Sequence, residues 1–149
     1  YMKFMVDKIK LFFLLASVFA CQNCSCQTVV SSETLIGKVW TLKEPRNPGV
    51  SSKLYFSGKE IKQTVEWTSL GKTSEKTNCY YLSDEFPNVF DSSKVGNTKK
   101  GIYLVWKGKK DFVCMEILKA TSNELQMIRV LKPNQQVIGG LEPVLFVRE

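Results

Sequence analysis

The chain reads as an all-β protein: a small antiparallel up-and-down barrel of about eight strands, preceded by an export signal. Three observations predict this. From Leu35 onward, short β-rich runs alternate with turn residues, the spacing of a sandwich or barrel. No long stretch carries helical periodicity. Successive runs are joined by hairpin-sized turns, and about eight strands in that order can close on themselves and leave no open edge. With 149 residues in all, the chain has room for one domain once a leader is set aside.

The first element is a signal peptide over residues 1–20. Lys3, Lys8 and Lys10 make a basic start, an apolar run of about ten residues follows from Leu11, and Ala20 supplies the small residue before cleavage. Gln22 and Asn23 stop the apolar run short of the roughly 20 residues that a spanning helix needs. Val18-Phe19-Ala20-Cys21 resembles a bacterial lipobox, whose cysteine is lipidated and becomes the new N-terminus. This makes Cys21 the expected membrane anchor. Val18-Phe19-Ala20 also satisfies the small-x-small rule of ordinary signal peptidase, which would leave the protein freely secreted. Five cysteines cannot all pair, and lipidation of Cys21 leaves four. Residues 21–34 read as the lipidated cysteine and a polar tether rich in Ser, Gln and Thr. Cys21, Cys24 and Cys26 lack a second cysteine pair at ligand spacing, so no metal site is expected. No acidic run follows Cys21, which favours the periplasmic face of the envelope.

The mature domain, residues 35–149, then divides into strands near 35–44, 52–56, 59–67, 77–83, 101–107, 111–120, 124–132 and 142–148. In the third, Ile61, Val65 and Trp67 share one face while Lys62, Thr64 and Glu66 take the other, the alternation of a half-buried strand. A Ser57-Gly58 turn before it pairs Leu54 with Ile61, so the apolar faces agree. Lys107-Gly108-Lys109-Lys110 joins the fifth and sixth strands. Ser122-Asn123 joins the sixth and seventh, and asparagine tolerates the positive φ that tight hairpins use. Cys79 and Cys114 fall in strands. Export permits a disulfide, yet two separate buried thiols are expected, because free cysteine packs as a small hydrophobe. The longer connections, 44–50, 84–100 and 133–141, are where recognition usually resides.

The hairpin around Ser122 poses a conflict. Its register sets Glu116 opposite Arg129 and Leu118 opposite Met127, and on the other side Ile117 opposite Ile128 and Met115 opposite Val130. Both faces are then largely apolar. Either a loop or a β-bulge near Ala120 covers one of them, or one of them is a partner surface or a ligand cavity.

Composition excludes several kinds of chemistry. The chain has no histidine, so Ser-His-Asp and Cys-His nucleophilic sites lack their proton acceptor, and His-based zinc, copper and haem sites are ruled out. No carboxylate pair stands out, and the expectation is a protein that is not an enzyme and uses no cofactor. The net charge is +7, but the lysines are scattered, with small clusters at Lys99 and Lys100 and at Lys107, Lys109 and Lys110 beside glycines. That is the pattern of solvated turns rather than of a nucleic-acid face.

From Leu35 to its end the chain resembles the short lipocalin-like lipoproteins of Bacteroides-type bacteria. The resemblance rests on Leu35-Ile36-Gly37-Lys38-Val39-Trp40, Tyr80-Tyr81-Leu82-Ser83-Asp84, Gly101-Ile102-Tyr103-Leu104-Val105, the segment from Glu116 to Met127, and Leu145-Phe146-Val147-Arg148. Gly37 and Trp40 stand two residues apart where lipocalins proper carry Gly-x-Trp. The resemblance implies a barrel closed at one end by Trp40 with Arg148 lying across it, Arg129 being the reserve. It also implies an envelope lipoprotein binding a small apolar ligand, with Val65, Trp67, Tyr81, Tyr103, Met127 and Arg129 as candidate contacts. The alternative is a protein-interaction or scaffolding lipoprotein, anchored the same way, whose barrel is filled and whose partner is another envelope protein.

Overall fold

The computed structural model of the protein describes residues 27–136 and 141–149. The signal peptide, Cys21, Cys24 and Cys26 lie outside the described residues. The strands are β1 (Val30–Ser31), β2 (Val39–Leu42), β3 (Val50–Phe56), β4 (Glu60–Trp67), β5 (Lys72–Ser83), β6 (Lys100–Gly101), β7 (Tyr103–Lys107), β8 (Phe112–Ala120), β9 (Glu124–Val130) and β10 (Val144–Arg148), with one helical turn, α1 (Ser32–Leu35). Eight of them form a closed barrel in the order β2-β3-β4-β5-β7-β8-β9-β10, every neighbour antiparallel and β10 returning to β2. The remaining two, β1 and β6, make a two-stranded sheet of their own.

Every expected strand occurs, in the expected sequence, though two differ in extent. Residues 35–38 are not strand: α1 and a left-handed Gly37 (φ 73°) come before β2. β5 begins at Lys72, earlier than alternation suggests, because its polar first half pairs with β4 as far as Trp67↔Lys72. The folded domain also takes in residues that composition assigns to the tether. Val30 is 3% exposed, and it pairs with Gly101.

Strand alternation explains the interior. Trp40, Leu54, Phe56, Ile61, Tyr80, Leu82, Leu104, Met115, Ile117, Leu125, Met127 and Phe146 are buried in one cluster together with Val30 and Leu35. The members nearest α1 pack one end solid. There the fully buried Trp40 donates its indole N–H to the Leu35 carbonyl at 3.3 Å, which satisfies the polar end of a ring that packing has removed from water. Trp40 and Arg148 are register partners across β2 and β10. The cation over the indole, however, is Lys38, 6.0 Å from its centroid. Arg148, at the end of its strand, is exposed.

Three hairpins correct or refine their sequence reading. The β3–β4 turn spans 57–60, with Phe56 opposite Ile61 and Leu54 opposite Gln63. The Ser57 hydroxyl accepts from the N–H groups of Lys59 and Glu60 and so holds Gly58 and Lys59 at the tip. The register moves by two residues and the inward face is preserved. The β8–β9 turn does centre on Ser122 and Asn123, but none of the described non-glycine residues has positive φ. Here the Thr121 hydroxyl accepts from Asn123 and Glu124 N–H at 3.3 and 3.0 Å, organising the turn without left-handed backbone. The β7–β8 turn closes with Gly108 N–H donating to the Asp111 carbonyl.

The doubly apolar hairpin resolves through both structural devices at once. A β-bulge between Ile117 and Lys119 leaves Leu118 unpaired. Before it Met115 and Ile117 point inward. After it Ala120 does, opposite Leu125. On the outer face a second cluster, Tyr81, Val105, Phe112 and Cys114, is covered by the 84–99 segment through Phe86, Phe90 and Val95. Tyr81 and Phe90 pack with tilted rings, their centroids 5.3 Å apart, and burial pushes the Cys114 thiol up to about 12. Cys79, expected to be buried as well, is exposed on the outer face of β5, since Asn78 and Tyr80 take the inward positions. The two thiols are free, and β7 lies between their strands.

Candidate functional site

The barrel is filled at one end and hollow at the other. A cavity of about 460 Å³ occupies the half away from α1, within the roughly 300–1,000 Å³ usual for small-molecule sites. Its floor is apolar: Leu54, Ile61, Met115, Met127 and Phe146, contributed by five strands. Each takes an inward position because its neighbours in sequence face out, and the bulge at Leu118 keeps β8 in phase with β9.

Polar groups gather towards the mouth. Gln63 sits opposite Lys76 across β4 and β5, and Asn78 is the next inward residue of β5. Arg129 is the inward residue above Met127 on β9, opposite Met115. Trp106 and Val113, opposite each other on β7 and β8, complete the wall. Arg46, from the β2–β3 loop, and Glu142, just before β10, form an ion pair at the rim. Its atoms are 3.5 Å apart and its side chains 73% and 75% exposed, so it contributes little to stability. The lining therefore carries three cationic side chains and one acid.

Of the six residues suggested as ligand contacts, Met127 and Arg129 line this cavity. Val65 and Trp67 occupy inward positions of β4, but they lie past the lining residues, where β3, β4 and β5 continue as a three-strand extension. Tyr81 and Tyr103 face outward into the cluster beneath the 84–99 segment. Burial raises both of their phenol pKa values. The barrel-closure residue Trp40 sits in the packed end, and the reserve arginine, Arg129, belongs instead to the mouth.

Several lining residues had a signal in the sequence that alternation alone undervalues. Gln63 lies between Ile61 and Val65 on the face read as buried, and Asn78 stands two before Tyr80. A polar residue interrupting an apolar face marks a wall that meets water or a ligand. Arg46 comes from a loop and has no such signature. Among the described residues no group of three or more acidic or thiol side chains is placed to hold a metal ion, and none of the described helices is long and apolar enough to cross a membrane. No protein-family model matches the chain, and neither does any curated protein or solved structure.

Proposed function

We propose that the protein is an exported envelope lipoprotein, anchored through Cys21, whose barrel holds a small, largely apolar molecule. The observation that carries this reading is the cavity: about 460 Å³ open at one end of the barrel, its floor built from aliphatic, thioether and aromatic side chains, with a few convergent polar groups at the opening. That is the composition of a binding site, few polar groups fixing orientation over an apolar bed that supplies the burial energy. A barrel serving as a scaffold has no need of the space.

The alternative, a partner-docking protein, drew its motive from the doubly apolar hairpin. The bulge and the 84–99 segment account for that surface, and the large exposed hydrophobics, such as Val29, Leu70 and Val89, come from separate parts of the chain.

Native mass spectrometry of the protein purified from its own host tests the proposal in one measurement. The expected spectrum has a mass increment from acyl chains on a chain beginning at Cys21, and a second, non-covalent increment that is lost on collisional activation. A chain that carries no non-covalent increment in any preparation, yet takes up none of a panel of apolar compounds added to it, removes the carrier reading. A mature chain without acyl chains removes the anchor.

A further inference from the structure

Resting on the carrier reading, we propose that the ligand is an amphipathic anion: an apolar body lodged over Ile61, Met115, Met127 and Phe146, and a single negatively charged head held at the mouth by Arg129 and Lys76.

The argument begins from where these two cations sit. Both occupy inward positions, Arg129 opposite Met115 and Lys76 opposite Gln63, and on β9 the inward residues below Arg129 are the apolar Met127 and Leu125. Among the described residues Lys53 pairs with Glu149, Lys62 with Glu75, Lys119 with Glu124 and Lys132 with Asp111, while most other lysines stand on the outer surface without a carboxylate partner. What sets Lys76 and Arg129 apart is their place in the cavity lining. Among the described residues, Arg129 and Lys76 pair with no carboxylate. Glu142, the single acid of the lining, is engaged by Arg46 at 3.5 Å.

Two like charges that line one cavity from different walls repel each other, and the repulsion is relieved when an anion lies between them. A wholly apolar ligand gains nothing from them and pulls water away from both as it enters. A small inorganic anion satisfies the cations but leaves the apolar floor bare. A molecule with a charged end and an apolar end satisfies both halves of the lining. Gln63 and Asn78 provide neutral donors beside the head. The barrel wall surrounds the floor, so the occupant is a free amphiphile taken up singly, not a bilayer surface.

The test uses the purified full chain and two fluorescent probes with the same apolar tail, cis-parinaric acid and its methyl ester, which differ by the charge of the head and one methyl group. The expected result is that the acid binds at least about tenfold more tightly than the ester at low salt. That preference should shrink as sodium chloride is raised to about 1 M, where screening is nearly complete. In the Lys76→Gln, Arg129→Gln double variant the preference for the acid over the ester should disappear. Both side chains are exposed, and a far-ultraviolet circular dichroism spectrum matching the wild type's certifies the fold.

Equal binding of acid and ester by the wild type overturns the anionic head and leaves the apolar carrier standing. A preference for the acid that survives the double substitution overturns the assignment to these two residues. Failure of both probes to bind overturns the carrier reading itself.

Discussion

Trp40 shows how much one side chain fixes. It is fully buried, it touches the capped end from inside, and its indole N–H ties β2 to the carbonyl of Leu35 in α1. Trp40→Ala should cost about 3–5 kcal/mol in urea unfolding, whereas Lys38→Ala, whose ammonium stands 6.0 Å from the ring, should cost at most about 1 kcal/mol. Tyr80 makes a comparable tie. Its ring meets Phe56 edge-on at 5.4 Å and its hydroxyl donates to the Ser57 carbonyl at 2.8 Å. Burial raises its pKa from 10.0 to about 12. The unfolded chain therefore loses this proton first, and the stability linked to it is complete below pH 10 and is lost as pH rises through about 12. Urea midpoints measured across that interval should fall, and Tyr80→Phe should flatten the fall while lowering stability at neutral pH by about 1 kcal/mol for the lost hydrogen bond. An unchanged slope in Tyr80→Phe would assign the alkaline transition to other groups.

At the scale of elements the informative feature is β8. Leu118 is the extra residue of a bulge and is 39% exposed; Ile117, its neighbour in sequence, is 1% exposed. Ile117→Ala should therefore cost about 2–5 kcal/mol and Leu118→Ala under about 1 kcal/mol. Simple alternation across an unbroken hairpin, which faces Leu118 towards Met127, predicts a large cost for both. The same element shows what the sequence could and could not disclose. The register arithmetic from Ser122 and Asn123 is correct between the turn and the bulge and off by one beyond it. The conflict it produced, two apolar faces on one hairpin, was a genuine trace of the bulge and of the covering 84–99 segment. Its resolution was illegible because Phe86, Phe90 and Val95 reach Tyr81 and Cys114 through contacts with no local signature. Gly101 is a parallel case. A Cβ there would fall 2.5 Å from the Ser83 nitrogen, so the glycine marks a close backbone approach that no pattern within residues 95–105 announces.

The whole molecule was legible in outline. Eight runs of strand-forming residues with short turns between them imply an up-and-down barrel, and closure follows once the first and last runs, holding Trp40 and Arg148, are seen to be neighbours. The cavity was legible by halves. Met127 and Arg129 are in it; Tyr81 and Tyr103 turn outward because of strand phase, which an aromatic-rich composition does not reveal. The barrel also has a direction. The described chain begins at the packed end, where the Thr28 hydroxyl donates to the Leu118 carbonyl and β1 lies against β6, and the opening is at the other end. On the anchor proposed above, the sealed base is the end nearer the point of attachment. β8, of nine residues, then carries the rim outward by roughly 20–25 Å once strand tilt is allowed for. On the carrier and anchor proposed above, exchange of cargo would take place on the aqueous side, and a molecule leaving the bilayer would cross water before it meets the rim. On that proposal the barrel would receive or carry dispersed molecules rather than extract them from the membrane.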